Sequence, residues 1–192
     1  MINLAVFASG NGSNFEHLVK GAINYRVNCL IVDREDAYAI KRAEKLNIRV
    51  YLFLRKDYFS KKDFEDNILR VLKTEKIDLI ALAGYMRILG KTLISAYPKK
   101  IINIHPSLLP HFPGKQAIVD AYNQKANKTG VTIFYIDEGI DTGEIITQKE
   151  IDIQAYWSID DLEQAIHKVE HELFCKTIND LIGAEYEKKS ID

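Results

Sequence analysis

Short apolar runs alternate with amphipathic segments along this chain, and that alternation restricts the fold more than any other feature. Apolar runs of strand length occupy residues 2–8, 27–32, 48–52, 77–83 and 101–104. The segments between them carry apolar residues at helical spacing. Strands that alternate with helices through short connections form a doubly wound sheet. We therefore predict a Rossmann-like α/β fold: a mostly parallel sheet with helices on both faces, whose last two strands are antiparallel because a loop joins them.

The chain is expected to form a single domain over residues 1–192. Ser158 with Asp161 predicts the start of a last helix that ends at Gly183, before a polar tail over 184–192. A net charge of −1 gives no argument for a nucleic-acid partner or a membrane surface. No apolar run approaches the roughly 20 residues that a bilayer requires, so a cytoplasmic location is expected.

A glycine-rich turn follows the first strand. Gly10, Gly12, Ser13 and Asn14 stand between that strand and a helix. The free N–H groups at a helix N-terminus bind anions. Phe15 occupies the position of the third glycine of the dinucleotide motif, so the turn suits a single phosphate better than a dinucleotide. A glycine turn without a ligand is the alternative.

The strand over 101–105 carries polar side chains at its C-terminal end. Residues two apart on a strand share a face, so Asn103 and His105 are predicted to point the same way. Ligands of open parallel sheets bind at this edge. The loop 137–143 supplies carboxylates, one of which could bond the imidazole and favour its charged form. An amide donor, a histidine acid and an orienting carboxylate suit acyl transfer to an amine, with oxyanion stabilisation by Asn103 and His105. The alternative is an ordinary strand end whose polar residues cap a loop.

Other motifs indicate competing functions. His167 and His171 match the H-x-x-E-H zinc pattern, but a solvated or substrate-facing helix surface is the preferred interpretation, and no metal is predicted. Ser107 beside His105 lacks the G-x-S-x-G context of a hydrolase. Asp33 after the second strand leaves a nicotinamide-dependent oxidoreductase as a rival, which Phe15 disfavours. A non-enzymatic nucleotide-binding module is a second rival. His17 and His111 have no predicted partners.

Four blocks of this sequence resemble the phosphoribosylglycinamide formyltransferases, the folate-dependent formyltransferase family of purine synthesis. The blocks are ASGNGSN at 8–14, LAGYMRIL at 82–89, NIHPSLLP at 103–110 and DEGIDTG at 137–143. The resemblance implies the formyltransferase fold, with a nucleotide- and phosphate-binding half over 1–100 and a catalytic, folate-binding half over 101–192. It implies formyl transfer from 10-formyltetrahydrofolate to glycinamide ribonucleotide, small-molecule substrates only, no metal, and a monomer or homodimer.

The resemblance also assigns roles to residues. Asn103 would bind the formyl oxygen, His105 would donate a proton, and Asp141 would favour the protonated form of His105 and order a water. The glycinamide ribonucleotide would be held by the residues Gly12, Ser13, Asn14 and Glu170. The folate would be held, besides Asn103, by the residues Lys61, Met86, Arg87, Ile88, Leu89, Ile136, Asp137, Glu138, Gly139, Ile140 and Asp141.

This sequence departs from the family pattern at a few positions. Lys61 stands where many relatives carry an arginine, so a lysine ammonium replaces a planar guanidinium group near the folate. His167 occupies a place where lysine or glutamine is common. Residues 114–118 lack histidines that some relatives have there, outside the catalytic trio.

Overall fold

The computed structural model describes residues 1–189. Within them it contains seven strands, six α-helices and a 3₁₀ turn at Arg55–Asp57. The strands are β1 Ile2–Ala8, β2 Tyr25–Val32, β3 Arg49–Leu52, β4 Leu79–Leu82, β5 Ile101–His105, β6 Lys128–Tyr135 and β7 Ile145–Asp152. The helices are α1 Ser13–Lys20, α2 Ala39–Lys45, α3 Lys61–Thr74, α4 Lys91–Ala96, α5 Ala117–Asn123 and α6 Ile159–Lys189.

All seven strands belong to one sheet in the order β3-β2-β1-β4-β5-β6-β7. The first five are parallel, and β6 pairs antiparallel with both β5 and β7. The predicted doubly wound, mostly parallel fold is therefore confirmed, as is the antiparallel pairing of the last two strands. Because β1, β4 and β5 are adjacent and parallel, the segments that follow them meet at one edge of the sheet.

Helices cover both faces of the sheet. One face packs against α1, α2, α5 and α6 in a core that includes Phe15, Leu18 and Phe174. The other face packs against α3 and α4 in a core that includes Phe7, Phe64 and Leu93. Burial on both faces explains why the parallel strands read as continuous apolar runs.

Local signals fix several helix ends. The Ser60 hydroxyl accepts from the N–H of Asp63 at 3.0 Å and caps α3. The Ser158 hydroxyl likewise accepts from the N–H of Asp161 at 3.2 Å at the start of α6. The cap at Ser158 is the one predicted above from the sequence.

The predicted end of the last helix at Gly183 is wrong, since α6 continues to Lys189. A glycine inside a helix costs only about 1 kcal/mol relative to alanine, which tertiary packing readily outweighs. Here Asn179 bonds the backbone N–H groups of Ile23 and Asn24 and anchors the helix. A Cβ on Gly183 would lie 3.3 Å from the Asn24 amide, so the glycine lets α6 pass close to that turn. Of the predicted polar tail, residues 190–192 lie outside the described residues.

In the part of the chain that the structure describes, no helix combines the length and the apolar character needed to cross a bilayer.

Candidate active site

Three segments meet at the C-terminal edges of β1, β4 and β5. They are the glycine turn 9–14, the apolar loop 84–90 and the polar end of β5. Neighbouring strands lie about 4.8 Å apart, so the ends of β1 and β5 are separated by roughly 10 Å. A ligand of a few rings can therefore contact all three segments at once.

The glycine turn leaves backbone donors free at the start of α1. Gly12 has a left-handed φ of 76°, and a Cβ there would lie 2.5 Å from the Cβ of Ala39. The Ala39 N–H donates to the Gly10 carbonyl at 3.1 Å, and Arg42 Nε donates to the Asn11 carbonyl at 2.9 Å. The first bond within α1 runs from Glu16 N–H to the Gly12 carbonyl, so the N–H groups before it are available to an anion.

Glu170 reaches this turn from α6. Its Oε2 accepts from the Asn14 side-chain amide at 3.2 Å and lies 2.8 Å from His167 Nδ1. The hydrogen bond to this carboxylate, chiefly, raises the pKa of His167. Glu170 is buried, and Asn14 Oδ1 is buried without a hydrogen-bond partner among the described residues. The cluster therefore combines a carboxylate acceptor with an unused amide oxygen next to the free N–H groups.

The histidines of the H-x-x-E-H motif take part in ring stacking. His17 stacks on His171 with centroids 3.8 Å apart, so the prediction that His17 has no partner is wrong. Burial and the neighbouring His17 lower the pKa of His171. Among the described residues, no three His, Cys, Asp or Glu side chains are grouped so that they could hold a metal ion.

The apolar loop is tied to its neighbours at three points. Met86 N–H donates to the Ser9 hydroxyl at 2.8 Å, which links the loop to the glycine turn. Gly90 N–H donates at 2.5 Å to the buried carboxylate of Glu65, and the stem of Lys61 lies beside the same glycine. Arg87 Nε lies 2.6 Å from Asp33 Oδ2. The loop is thus held at its beginning, middle and end.

These ties leave part of the loop exposed. The side chains of Met86 and Ile88 are 51% and 60% exposed, whereas Leu89 is buried in the core. Arg87 turns away to Asp33 and the ring of Phe64, whose centroid lies 5.8 Å from the guanidinium carbon. Of the four residues of this loop predicted to hold the folate, Met86 and Ile88 present exposed apolar side chains. Arg87 and Leu89 instead pack against the body of the protein.

At the end of β5, His105 is buried, with one ring nitrogen hydrogen-bonded and the other facing a carboxylate. Nε2 lies 2.8 Å from the carbonyl of Phe112, which also accepts from the Ser107 hydroxyl at 3.2 Å. A carbonyl only accepts, so Nε2 carries a proton and Nδ1 is the nitrogen left for chemistry. Nδ1 lies 3.8 Å from Asp141 Oδ2. The structure therefore brings the predicted imidazole and carboxylate together.

Asn103 completes the trio from the same strand face. It is half-buried, and its side-chain amide makes no hydrogen bond with any of the described residues. Ser107 is fully buried and donates to the carbonyls of His111 and Phe112, which disfavours a role as nucleophile. An unengaged amide beside an oriented imidazole can stabilise an oxyanion.

The loop 137–143 folds over this strand end. The Asp137 carboxylate accepts from Gly139 N–H and from the Thr142 hydroxyl, both at 2.9 Å, so it organises the loop itself. Glu138 is exposed and pairs with Lys91 at 3.4 Å. Asp141 has a left-handed φ of 54°, and its Oδ2 accepts from Gly114 N–H at 2.9 Å. Of the carboxylates in this loop, Asp141 is thus the one that reaches the imidazole.

The remaining predicted folate residues of the loop divide by exposure. Ile136 is half-buried and its N–H donates to the Ile101 carbonyl at 2.9 Å, so it anchors the start of the loop. Ile140 is 60% exposed. The loop therefore presents one apolar side chain outward beside the carboxylate of Asp141.

Three supporting residues were missed from the sequence. Ser9 and Glu65 hold the apolar loop, and Asp33, which had suggested a nicotinamide cofactor, pairs instead with Arg87. Ser9 lies within the glycine motif and Glu65 within an amphipathic helix, so neither gave a separate signal. Glu65 could be recognised as a buried acid only after the structure showed which face of α3 packs against the protein.

This chain is similar to known proteins along almost its whole length. The formyl transferase family model matches residues 2–178. A phosphoribosylglycinamide formyltransferase of Bacillus subtilis is 46% identical over 187 residues, covering 95% of this chain and 96% of the relative. The crystal structure of glycinamide ribonucleotide transformylase 1 from Geobacillus kaustophilus matches with a TM-score of 0.92 and 51% identity, over 95% of this chain and 99% of that one.

A second solved structure gives the same result. Phosphoribosylglycinamide formyltransferase from Streptococcus pneumoniae TIGR4 matches with a TM-score of 0.91 and 42% identity, over 94% of this chain and 99% of that one. The similarity thus covers nearly the whole of each protein. The chain belongs to the formyl transferase family and, within it, to the phosphoribosylglycinamide formyltransferases.

Proposed function

We propose that this protein transfers the formyl group of 10-formyltetrahydrofolate to the amine of glycinamide ribonucleotide in de novo purine (IMP) biosynthesis. The observation that carries the proposal is the convergence of Asn103, His105 and Asp141 at the end of β5. Nδ1 of His105 faces Asp141 at 3.8 Å, while Nε2 is held by the Phe112 carbonyl. The names of the relatives support formyl transfer to this acceptor.

The acceptor nucleotide binds at the glycine turn. Its phosphate takes the N–H groups at the start of α1, where the helix dipole favours negative charge. Glu170 accepts hydrogen bonds from the ribose, since its buried carboxylate is already oriented by Asn14 and His167. A ribose hydroxyl can also donate to the unpartnered Asn14 Oδ1. The amine of the acceptor then extends toward β5.

The folate donor binds between the apolar loop and the loop 137–143. Met86, Ile88 and Ile140 offer exposed apolar surface for a flat ring. Backbone groups and the carboxylate of Asp141 give the hydrogen bonds that a pterin needs. With the ring bound between these loops, we expect the formyl group, carried at the far end of the pterin, to lie beside Asn103 and His105.

The reaction then proceeds by direct attack. The amine nitrogen forms a bond to the formyl carbon, and the carbonyl electron pair moves to the oxygen. The Asn103 amide and protonated His105 stabilise that oxyanion, and the charge of Asp141 stabilises the imidazolium. A water beside Asp141 takes the proton from the attacking nitrogen. The oxyanion re-forms the carbonyl as the carbon–nitrogen bond of the donor breaks, and His105 gives its proton to the folate nitrogen. The water then returns the proton of the amine to His105, and the products are tetrahydrofolate and formylglycinamide ribonucleotide.

The rival functions fit these contacts less well. A nicotinamide cofactor would need the carboxylate after β2 for its ribose, and Asp33 is buried against Arg87. A nucleotide-binding module without turnover would have no use for a buried imidazole that is oriented by a carbonyl and faces a carboxylate.

One assay tests the proposal. Purified protein is mixed with 10-formyltetrahydrofolate, and the loss of donor absorbance is followed with and without glycinamide ribonucleotide. We expect turnover that depends on the ribonucleotide, with formylglycinamide ribonucleotide as product by mass spectrometry. Loss of the formyl group at the same rate without the acceptor, or no loss at all, would refute the proposed reaction.

A further inference from the structure

An arginine of α2 supports the middle of the glycine turn. Arg42 Nε donates to the backbone carbonyl of Asn11 at 2.9 Å, and one of its terminal nitrogens donates to the Asn11 side-chain oxygen at 2.8 Å. These two bonds hold the backbone and the side chain of Asn11 at the same time. The neighbouring carbonyls, those of Gly10 and Gly12, accept instead from backbone N–H groups. The middle peptide of the turn therefore depends on a side chain, which a substitution can remove.

The guanidinium of Arg42 is itself fixed by two further contacts. Its remaining terminal nitrogen pairs with the carboxylate of Glu16, which lies in the first turn of α1 and also pairs with Lys20. The hydrogen bonds from Lys20 and then from Arg42 lower the pKa of Glu16, so this carboxylate stays ionised. The ring of Tyr38 lies over the guanidinium, with its centroid 5.2 Å from Cζ. All three guanidinium nitrogens are therefore engaged, and the side chain is held in one orientation.

The contact with Arg42 determines where one backbone donor points. In a planar trans peptide unit, the C=O and the N–H point in opposite directions. The carbonyl of Asn11 and the N–H of Gly12 belong to the same unit, so the bond from Arg42 to this carbonyl aims the Gly12 N–H the other way. Without that bond the unit can rotate, because the backbone of a glycine adopts many conformations. Arg42 thus controls the direction of an N–H group at the start of α1.

Resting on the proposed function, we propose that Arg42 is a positioning residue for the phosphate of the acceptor, acting through Asn11 to aim the Gly12 N–H into the phosphate site. A lysine at position 42 could still balance the charge of Glu16. It could not make the paired bonds to Asn11, because these require the planar fork of a guanidinium. The shape of the side chain, and not only its charge, should therefore set the affinity for the acceptor.

Steady-state kinetics of two variants test this assignment. KM for glycinamide ribonucleotide and KM for 10-formyltetrahydrofolate are compared in the wild type, Arg42→Gln and Arg42→Lys. We expect both variants to raise KM for the ribonucleotide roughly 10- to 100-fold, the range for losing one hydrogen bond to a charged group, and to keep KM for the folate within about twofold. Arg49→Gln is the matched control. Arg49 also pairs with a glutamate, Glu75, but it begins β3 at the opposite edge of the sheet, so neither KM should change.

Two kinetic results would overturn the assignment. A wild-type KM for the ribonucleotide in Arg42→Lys would show that charge alone suffices, and an equal rise of both KM values would show a general loss of structure. Calorimetry with ribose 5-phosphate repeats the test without turnover: both Arg42 variants should bind it more weakly than the wild type, and unchanged binding would also overturn the assignment. A failure of the proposed function is distinguishable, since the wild type would then bind this phosphate without acceptor-dependent turnover.

Discussion

Removing the negative charge of Asp141 should lower kcat strongly. Two unit charges 3.8 Å apart interact by about 4 kcal/mol at an effective dielectric constant of about 20. The two side chains are only 6% and 14% exposed, so solvent screens the pair little. Allowing half of this energy for reorganisation, removal of the charge should raise the barrier by about 2–4 kcal/mol. That corresponds to a loss of roughly 30- to 1,000-fold in kcat.

Asp141→Asn is the appropriate substitution because it preserves the local structure. Residue 141 has a left-handed φ, which asparagine tolerates as well as aspartate. The amide oxygen can still accept from Gly114 N–H, so the loop should stay closed. The loss should therefore appear mainly in kcat, with little change in KM for the ribonucleotide.

A matched control separates this effect from a general loss of charge. Asp152 lies at the same 3.8 Å from Lys128, but both groups are exposed. Asp152→Asn should leave kcat within about twofold of wild type, since exposed pairs contribute little. If Asp141→Asn is folded by circular dichroism and also keeps kcat within twofold, the role assigned to the His105–Asp141 pair is wrong.

Three further substitutions test other parts of the site. Asn103→Ala should lower kcat by roughly 10²–10³-fold by removing an oxyanion donor, and a fall in donor affinity alone, measured by calorimetry, would contradict that role. Asn14→Ala should raise KM for the ribonucleotide and leave KM for the folate unchanged. It is a cleaner test than Gly12→Leu, because a leucine side chain at Gly12 would collide with Ala39. An equal effect of Asn14→Ala on both KM values would argue against separate subsites. The hydrogen bond to Glu170 raises the pKa of His167 above its ordinary value of 6.5. The interaction therefore stabilises the folded protein fully at lower pH, and this stabilisation is lost as pH rises through the folded-state pKa of His167. Denaturant unfolding should thus show that His167→Gln costs more at pH 5.5 than at pH 9, and an equal cost at both would refute the linkage.

The fold was readable because its signals are local. Burial on both faces makes each parallel strand an unbroken apolar run, and β1 was predicted over the residues it occupies. Where a local signal met a tertiary contact, the prediction failed. Gly183 suggests a helix end. However, the side chain of Asn179 accepts a hydrogen bond from the backbone N–H of Asn24, 155 residues away in sequence, and α6 continues past Gly183.

The site was readable to the extent that strand geometry determines it. Asn103 and His105 share a face because they stand two positions apart on one strand, and no further information was needed. The choice among the acids of loop 137–143 follows from backbone dihedrals and from Gly114, neither of which leaves a pattern in sequence. The family resemblance supplied Asp141 where the residues alone left the carboxylates equivalent.

Asp33 shows how the same residue type serves different chemistry at one position of a fold. After the second strand of a βαβ unit, an acid that faces an open crevice can bind a ribose. Here Arg87 comes from the loop after β4 and takes one oxygen of that carboxylate, which fixes the middle of the apolar loop. The glycine turn and the apolar loop are also joined through Ser9 and Met86. The acceptor and donor sites are therefore connected by hydrogen bonds and an ion pair. Because Asp33 contacts the apolar loop directly, a substitution at Asp33 should weaken folate binding more than nucleotide binding.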